Sequence, residues 1–319
     1  MSSRRQSIKQ TSGEKRSGLS ATIRTIRRDI WIYVLLLPGL LYFLVFKYIP
    51  MWGVIISFQE FNPFIGMMES EWVGLAHFRR FFMHPAFFQL LRNTFMLAIY
   101  NLVLYFPLPI VLALMLNEMR SNGLRRAVQT MIYVPHFISW IVVVGISYVM
   151  FTPQGGIVNE MVVRLGGKEL DLLWNASTFR LFYTAQVMWK EAGWGTIIFL
   201  AALAGVDVEM YEASYIDGAN RFQRIWHITL PSIRSTIIVM LILRMGNFLN
   251  TGFEHIYAMT NAMNREVAEV FDTYVYSTGI LNGDYSYSTA VGLFKSVVGL
   301  ILVLSTDRLA KLVGEEGIY

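Results

Sequence analysis

Residues 206–231 read Val206-Asp-Val-Glu-Met-Tyr-Glu-Ala-Ser-Tyr-Ile-Asp-Gly-Ala-Asn-Arg-Phe-Gln-Arg-Ile-Trp-His-Ile-Thr-Leu-Pro231. The stretch joins two long apolar runs, yet its residues are not those of a featureless polar loop. Asp207 is a residue type that caps a helix start, and Glu209 and Glu212 suit the positive end of that helix. Gly218 stands where a chain leaving a helix turns through φ > 0. A second amphipathic stretch, Asn220 to Ile228, follows. Pro231 suits the first turn of the next helix, where its missing N–H costs no hydrogen bond. The expected object is helix, glycine hinge, helix. An ordered element that projects between two membrane-crossing runs suits a lever, because short helices move as rigid bodies while the glycine sets the angle between them.

Working outward, six segments are apolar over the roughly 20 residues a spanning helix needs. They are Trp31 to Phe58, Asn93 to Leu116, Val128 to Phe151, Phe179 to Leu203, Ile233 to Asn250 and Tyr287 to Leu304. Composition agrees. Of 319 residues 55 % are hydrophobic and only 15 % charged, against about 25 % charged in soluble domains. That leaves too little polar side chain to wet a globular surface. The expectation is an all-α integral membrane protein with six transmembrane helices. Its domains are a basic tail over 1–30, a membrane domain over 31–310 and a short C-terminal tail over 311–319. The first apolar run lies behind the polar tail with no small-residue cleavage site, and so reads as a retained span.

Lys and Arg in the connections set the orientation. With the N-terminus on the cytoplasmic side, the inner segments hold 16 of them, including Arg120, Arg125, Arg126, Arg221, Arg224, Arg234, Arg308 and Lys311, against 6 outside: Arg79, Arg80, Arg92, Arg164, Lys168 and Arg265. Both termini and the 206–231 loop are therefore expected in the cytoplasm. The net charge of +5 reflects this bias and does not indicate nucleic acid. The outer connections are long. The first carries Trp72, Phe78, Phe81, Phe82, Phe87 and Phe88, which suit either interfacial helices or a docking surface for an external partner.

The loop resembles the EAA loop of binding-protein-dependent ABC importer permeases, whose signature is Glu-Ala-Ala, three residues, Gly, nine residues, then Ile-x-Leu-Pro. Here the matching residues are Glu212, Ala213, Ser214, Gly218, Ile228, Leu230 and Pro231, with Ser214 replacing the second alanine. Ile216-Asp217-Gly218-Ala219 and His227-Ile-Thr-Leu-Pro231 resemble the carbohydrate-uptake branch. Arg244-Met-Gly-Asn-Phe-Leu-Asn250, Gly252 to Tyr257, Asp272 to Tyr276 and Tyr285 to Lys295 resemble the lipoprotein- and polysaccharide-permease subgroup, similar to alginate and pectic oligosaccharide permeases. The resemblance implies a type I ABC importer permease in the bacterial inner membrane, moving an oligosaccharide by alternating access. It implies a coupling-helix loop between the fourth and fifth spans that docks on a separate ATPase through Glu212, Ala213, Ser214, Asp217, Gly218, Ile228, Leu230 and Pro231. The implied partners are a second permease subunit, making a heterodimer, an ATPase dimer and an extracytoplasmic solute-binding protein. The chain carries no Gly-x-x-x-x-Gly-Lys-[Ser/Thr] loop, so ATP–Mg is expected on the ATPase and no cofactor or catalytic residue on this chain.

Charged groups at membrane depth are costly and mark protein or water. Lys190, Glu191 and Arg244 are the candidates. Lys190 and Glu191 are adjacent, about 100° apart on a helix, and are not expected to pair simply with each other; they line a cavity, or serve structural pairing or snorkel, near the outer membrane edge or a break at Gly193 and Gly195. Arg244 and Asn247 are three apart, on one helix face that Asn250 continues. That polar stripe suits either a sugar path or bonds to the partner permease. Asn93, Asn101 and Gln186 read as helix-packing polar groups. The chain has no cysteine and its five histidines show no ligand spacing, so no metal is expected. A membrane-embedded sugar-transfer enzyme would need clustered carboxylates or histidines, and a secondary transporter inverted repeats; neither is seen. Within importers, an amino acid or polyamine is the alternative solute.

Overall fold

The computed structural model describes residues 28–312; the expected basic tail, apart from residues 28–30, and the C-terminal tail after 312 lie outside them. The chain divides at residue 55 into two compact units. The first is the greater part of helix α1 (Ile30–Phe58). Its side chains up to Met51 are exposed and, Lys47 apart, overwhelmingly apolar. At 29 residues and about 1.5 Å per residue it exceeds the roughly 30 Å of a hydrocarbon core.

The second unit begins with a two-stranded hairpin, β1 (Gln59–Glu60) against β2 (Glu71–Trp72), antiparallel. Then come α2 (Ala76–Met83), α3 (Ala86–Asn117), α4 (Asn122–Phe137), α5 (Trp140–Phe151), α6 (Ile157–Arg164) and α7 (Ala176–Ala204). They are followed by α8 (Val208–Ile216), α9 (Arg221–Ser232), α10 (Arg234–Gly246), α11 (Phe253–Met259), α12 (Arg265–Ala268), α13 (271–281) and α14 (Tyr285–Leu312). Helices α1, α3, α7 and α14 are each long and apolar enough to span. Two further helix pairs are apolar enough to cross only if each is counted as one bent span, α4 with α5 at 102° and α9 with α10 at 62°.

The first break corrects the expectation of a continuous third span; the second falls at Ile233, where the fifth span is expected to begin. Between α4 and α5, Ile138 and Ser139 are extended, and the Ser139 hydroxyl caps α5 by accepting from Val142 N. Pro135 had already forced the end of α4 into a tighter turn. Between α9 and α10 the kink falls at Ile233 (φ −100°, ψ 8°). Pro231 therefore lies in the last turn of α9, not the first turn of the fifth span. Three prolines follow π turns in the same register: 44–48 before Pro50, 101–105 before Pro107 and 225–229 before Pro231. Proline removes one donor and crowds the carbonyl four residues back; a preceding i→i−5 turn, such as Phe106 N to Asn101 O at 3.0 Å, absorbs the misfit without ending the helix.

The core is built where helix ends meet. Leu97, Val144, Phe179, Tyr183 and Ile256 form one cluster. Phe81, Leu90, Phe271, Tyr287 and Val291 form another. The aromatics of the first outer connection divide between roles. Phe81 is fully buried, edge-on to Phe87, Phe271 and Phe294, whereas Trp72, Phe82 and Phe88 are exposed. The glycines of α7 make no break. α7 runs unbroken through Gly193 and Gly195, which bring its backbone against the Ile132 carbonyl of α4 and the Pro109 ring of α3.

Candidate functional site

Two regions carry the functional residues: the elbow between α7 and α10, and the polar interior beside α10.

Asp207 caps α8, its carboxylate accepting from Glu209 N at 2.9 Å. The helix closes on Gly218 at φ +76°, with Ala219 N donating to Ser214 O at 2.9 Å. This is the left-handed helix exit that glycine adopts without strain. Asn220 then opens α9 through a reciprocal capping box with Gln223, at 2.8 and 2.9 Å. Two contacts tie the arms to each other, and a third ties the elbow to the end of α3. The Tyr211 hydroxyl meets Thr229 Oγ1 at 2.9 Å, the buried Arg224 guanidinium lies 3.8 Å over the Tyr215 ring, and Arg221 reaches Glu118 at 3.9 Å. Ser214 is buried inside the elbow and donates to Tyr211 O at 2.7 Å. Only a small side chain fits there, and serine satisfies its own hydroxyl.

The outer surface of the elbow is a different matter. Glu212, Ala213, Asp217, Gly218 and Pro231 are exposed; Ile228 and Leu230 are half-buried. Around them Ile216 is 88 % and Phe222 84 % exposed, with Trp226 and Tyr215 also bare. The outer surface of the elbow is thus an ordered apolar patch rimmed by carboxylates.

In the interior, Lys190 and Glu191 do pair. Lys190 Nζ donates to Glu191 Oε1 at 2.8 Å and to His136 O at 2.9 Å, and it lies 4.8 Å over the Trp140 ring. His136 Nδ1 meets the other oxygen of Glu191 at 2.8 Å. The 100° between adjacent side chains is spanned because both are long and the α4–α5 break delivers a carbonyl, an imidazole and an indole to the same spot. Lys190 is only 5 % exposed. The pair belongs to a buried network that continues through Trp140 stacked on His255, His255 on Tyr183, and Gln186 bonded to both His255 and Ser147. Gln186 and Asn93 bridge helices, and Asn101 donates to Leu97 O of its own helix at 2.9 Å.

Arg244, Asn247 and Asn250 do not form a helical stripe. α10 stops at Gly246, Asn247 caps it, and Asn250 N donates to Asn247 O in a following turn. Two cavities open there. One of about 510 Å³ is lined by Asn247, Asn250, Asp272, Lys295 and Ser296; one of about 260 Å³ by Tyr105, Gly195, Arg244 and Asn247. Asn247 lines both, and neither cavity includes Lys190 or Glu191. Arg244 lies 5.1 Å over the Tyr105 ring. Sequence reasoning missed the ion pair between Lys295 and Asp272 in the larger cavity. Those residues are 23 apart in sequence, and only the charge of Lys295 inside an apolar run marks them. Among the described residues no group of three His, Cys, Asp or Glu is placed to hold a metal.

Residues 105–315 match the family of binding-protein-dependent transport system inner membrane components. The chain belongs to this family. The permease is 58 % identical to Protein LplB of Bacillus subtilis, over 92 % of each chain. It is 55 % identical to the polygalacturonan/rhamnogalacturonan transport system permease protein YteP of the same organism, over 96 % of this chain and 94 % of that one. Its fold matches a chain of a bacterial alginate ABC transporter, solved with its alginate pentasaccharide-bound periplasmic protein, at a TM-score of 0.85 and 37 % identity, over 92 % of this chain and 99 % of the other. The architecture is thus that of a type I ABC permease, with four to six membrane-spanning helices among the described residues.

Proposed function

We propose that the permease is one of two membrane subunits of an importer that carries an acidic oligosaccharide across the cytoplasmic membrane, driven by a separate ATPase dimer. The observation that carries this reading is the elbow: an ordered, exposed, glycine-jointed pair of helices that presents Glu212 and a bare apolar patch outside the bundle. ATP closure of the ATPase pulls the elbows of the two permeases together. The helices attached to them tilt, and the cavity alternates between the two faces of the membrane. The excess of Lys and Arg in the segments sharing the elbow's side supports a cytoplasmic position for the elbow and both termini. ATP–Mg sits on the ATPase, and this chain is a transport subunit without catalytic residues. The acidic sugar is suggested by the relatives, whose names refer to polygalacturonan and alginate. A solute-binding protein hands it over on the side opposite the elbow.

In this reading Arg244, Asn247 and Asn250 line the sugar path, the amides exchanging hydrogen bonds with hydroxyls while Arg244 holds a carboxylate. Arg244→Ala and Asn247→Ala, measured as uptake by the importer reconstituted in vesicles, are expected to raise KM about 10- to 100-fold, the loss of one or two hydrogen bonds to a charged group, with assembly unchanged. Normal uptake by both variants would assign these residues to packing.

A further inference from the structure

The cations of the spanning helices fall into two classes. Lys190 is neutralised by Glu191 and Lys295 by Asp272. On the connections opposite the elbow, Arg80 pairs with Asp284, Arg164 with Glu160 and Arg265 with Glu269. Arg92 on α3 and Arg180 on α7 have no acidic side chain within ion-pair distance among the described residues, although Arg180 bonds to Asn93, the residue beside Arg92. Like charges left together without a counter-ion are unfavourable, the more so where water is scarce. Such an arrangement persists where something else supplies the negative charge.

The pair is held in place. Asn93 is buried, and its amide donates to Glu266 O at 2.7 Å and Glu269 O at 3.0 Å. This leaves Asn93 Oδ1 to accept from Arg180 Nη2 at 3.0 Å. The guanidinium is thereby oriented by a side chain that is itself locked to the backbone of α12 and its exit. Its Nε is buried without a partner. Arg92 makes no hydrogen bond among the described residues and is exposed beside it. Arg92 and Arg180 lie within the first two turns of α3 and α7, about 6–9 Å from the helix starts, at the end of the bundle opposite the elbow.

A third free guanidinium lies deeper. Arg244 lies 5.1 Å over the Tyr105 ring and lines the smaller cavity with it. Arg244 has no acidic partner among the described residues either. Lys190 and Lys295 are thus neutralised by carboxylates, whereas Arg92, Arg180 and Arg244 are not, the first two at the end opposite the elbow and the third at a cavity. Guanidinium forks match carboxylates in two-point contact.

We infer that Arg92 and Arg180 form an entry site for the carboxylate of a uronic-acid oligosaccharide, which passes from them to Arg244. This rests on the proposed function and adds a site above the cavities. The test is uptake of galacturonate trisaccharide and of its methyl ester by the importer, with its binding protein and ATPase, in vesicles of phosphatidylcholine alone and with added phosphatidylglycerol. Arg92→Gln and the double variant with Arg180→Gln are compared with the unaltered protein. Arg92→Gln breaks no internal bond, so it folds whatever Arg180→Gln does. The expected result is a KM for the acid raised about tenfold by Arg92→Gln and further by the double variant, with the ester unaffected in both lipids. Equal loss for acid and ester overturns the site and points to binding-protein docking. No loss, or a loss that disappears without phosphatidylglycerol, overturns it too, the latter by identifying a lipid phosphate as the anion. If the unaltered importer takes up neither sugar, the acidic-oligosaccharide reading itself fails and the entry site falls with it.

Discussion

Glu212→Lys is expected to abolish sugar-stimulated ATP hydrolysis by the assembled importer while the permease inserts and folds normally. Glu212 is exposed on the elbow and makes no hydrogen bond or ion pair within the described residues, so reversing its charge removes nothing from the fold. At a docked surface the same change turns an attraction into a repulsion. Disrupting a close charge pair at an interface costs about 2–5 kcal/mol, or roughly 30- to 4,000-fold in the population of the coupled complex. The check is ATP hydrolysis with and without loaded binding protein, beside the amount of permease recovered from membranes. Full stimulation with the lysine variant would remove Glu212 from the coupling contact.

The second large effect belongs to Gly193. A methyl group on its Cα would lie 1.9 Å from the Ile132 carbonyl oxygen and 2.4 Å from its carbon. The obstacle is helix backbone, not the end of a flexible side chain. Reaching ordinary contact near 3.4 Å needs α7 and α4 to separate by about 1.5 Å, and that movement draws His136 away from Glu191. Overpacking of this kind costs about 1–3 kcal/mol. Gly193→Ala is therefore expected to lower the thermal midpoint of the detergent-solubilised permease by several degrees. Gly145→Ala, where an added methyl meets nothing within 4 Å, serves as the neutral control. Equal midpoints for the two variants would show that α4 and α7 are not held at the separation observed.

The elbow was legible in the sequence because its determinants are local. Asp207, Gly218 and Asn220 act on backbone groups within a few residues of themselves, so residue type and spacing suffice to place them. The long spans were legible for a similar reason, since twenty apolar residues carry their own signal. What the sequence hid lies at breaks and across helices. Pro135 and Ser139 sit inside a run apolar enough to cross a membrane, and hydropathy gives no weight to a serine that caps a new helix. The end of α10 at Gly246 looked like the middle of a span, so Arg244, Asn247 and Asn250 were read as a stripe when they are a helix end and the turns beyond it. Lys190 and Glu191 illustrate the limit of helix geometry applied to Cα positions: the angle between adjacent residues says little about where flexible side chains end once another helix supplies a carbonyl and a ring. Lys295 with Asp272, and Arg92 beside Arg180, needed the three-dimensional fold to be seen as pairs.

The central claim is that the elbow faces the cytoplasm and is covered by the ATPase. The chain has no cysteine, so Ala213→Cys on the exposed side of α8 is a unique label. Its reaction with a membrane-impermeant maleimide can be followed in right-side-out and inverted vesicles, each with and without the ATPase. Labelling only in inverted vesicles, and protection when the ATPase is present, is the predicted result. Labelling in right-side-out vesicles, or no protection by the ATPase, would contradict it.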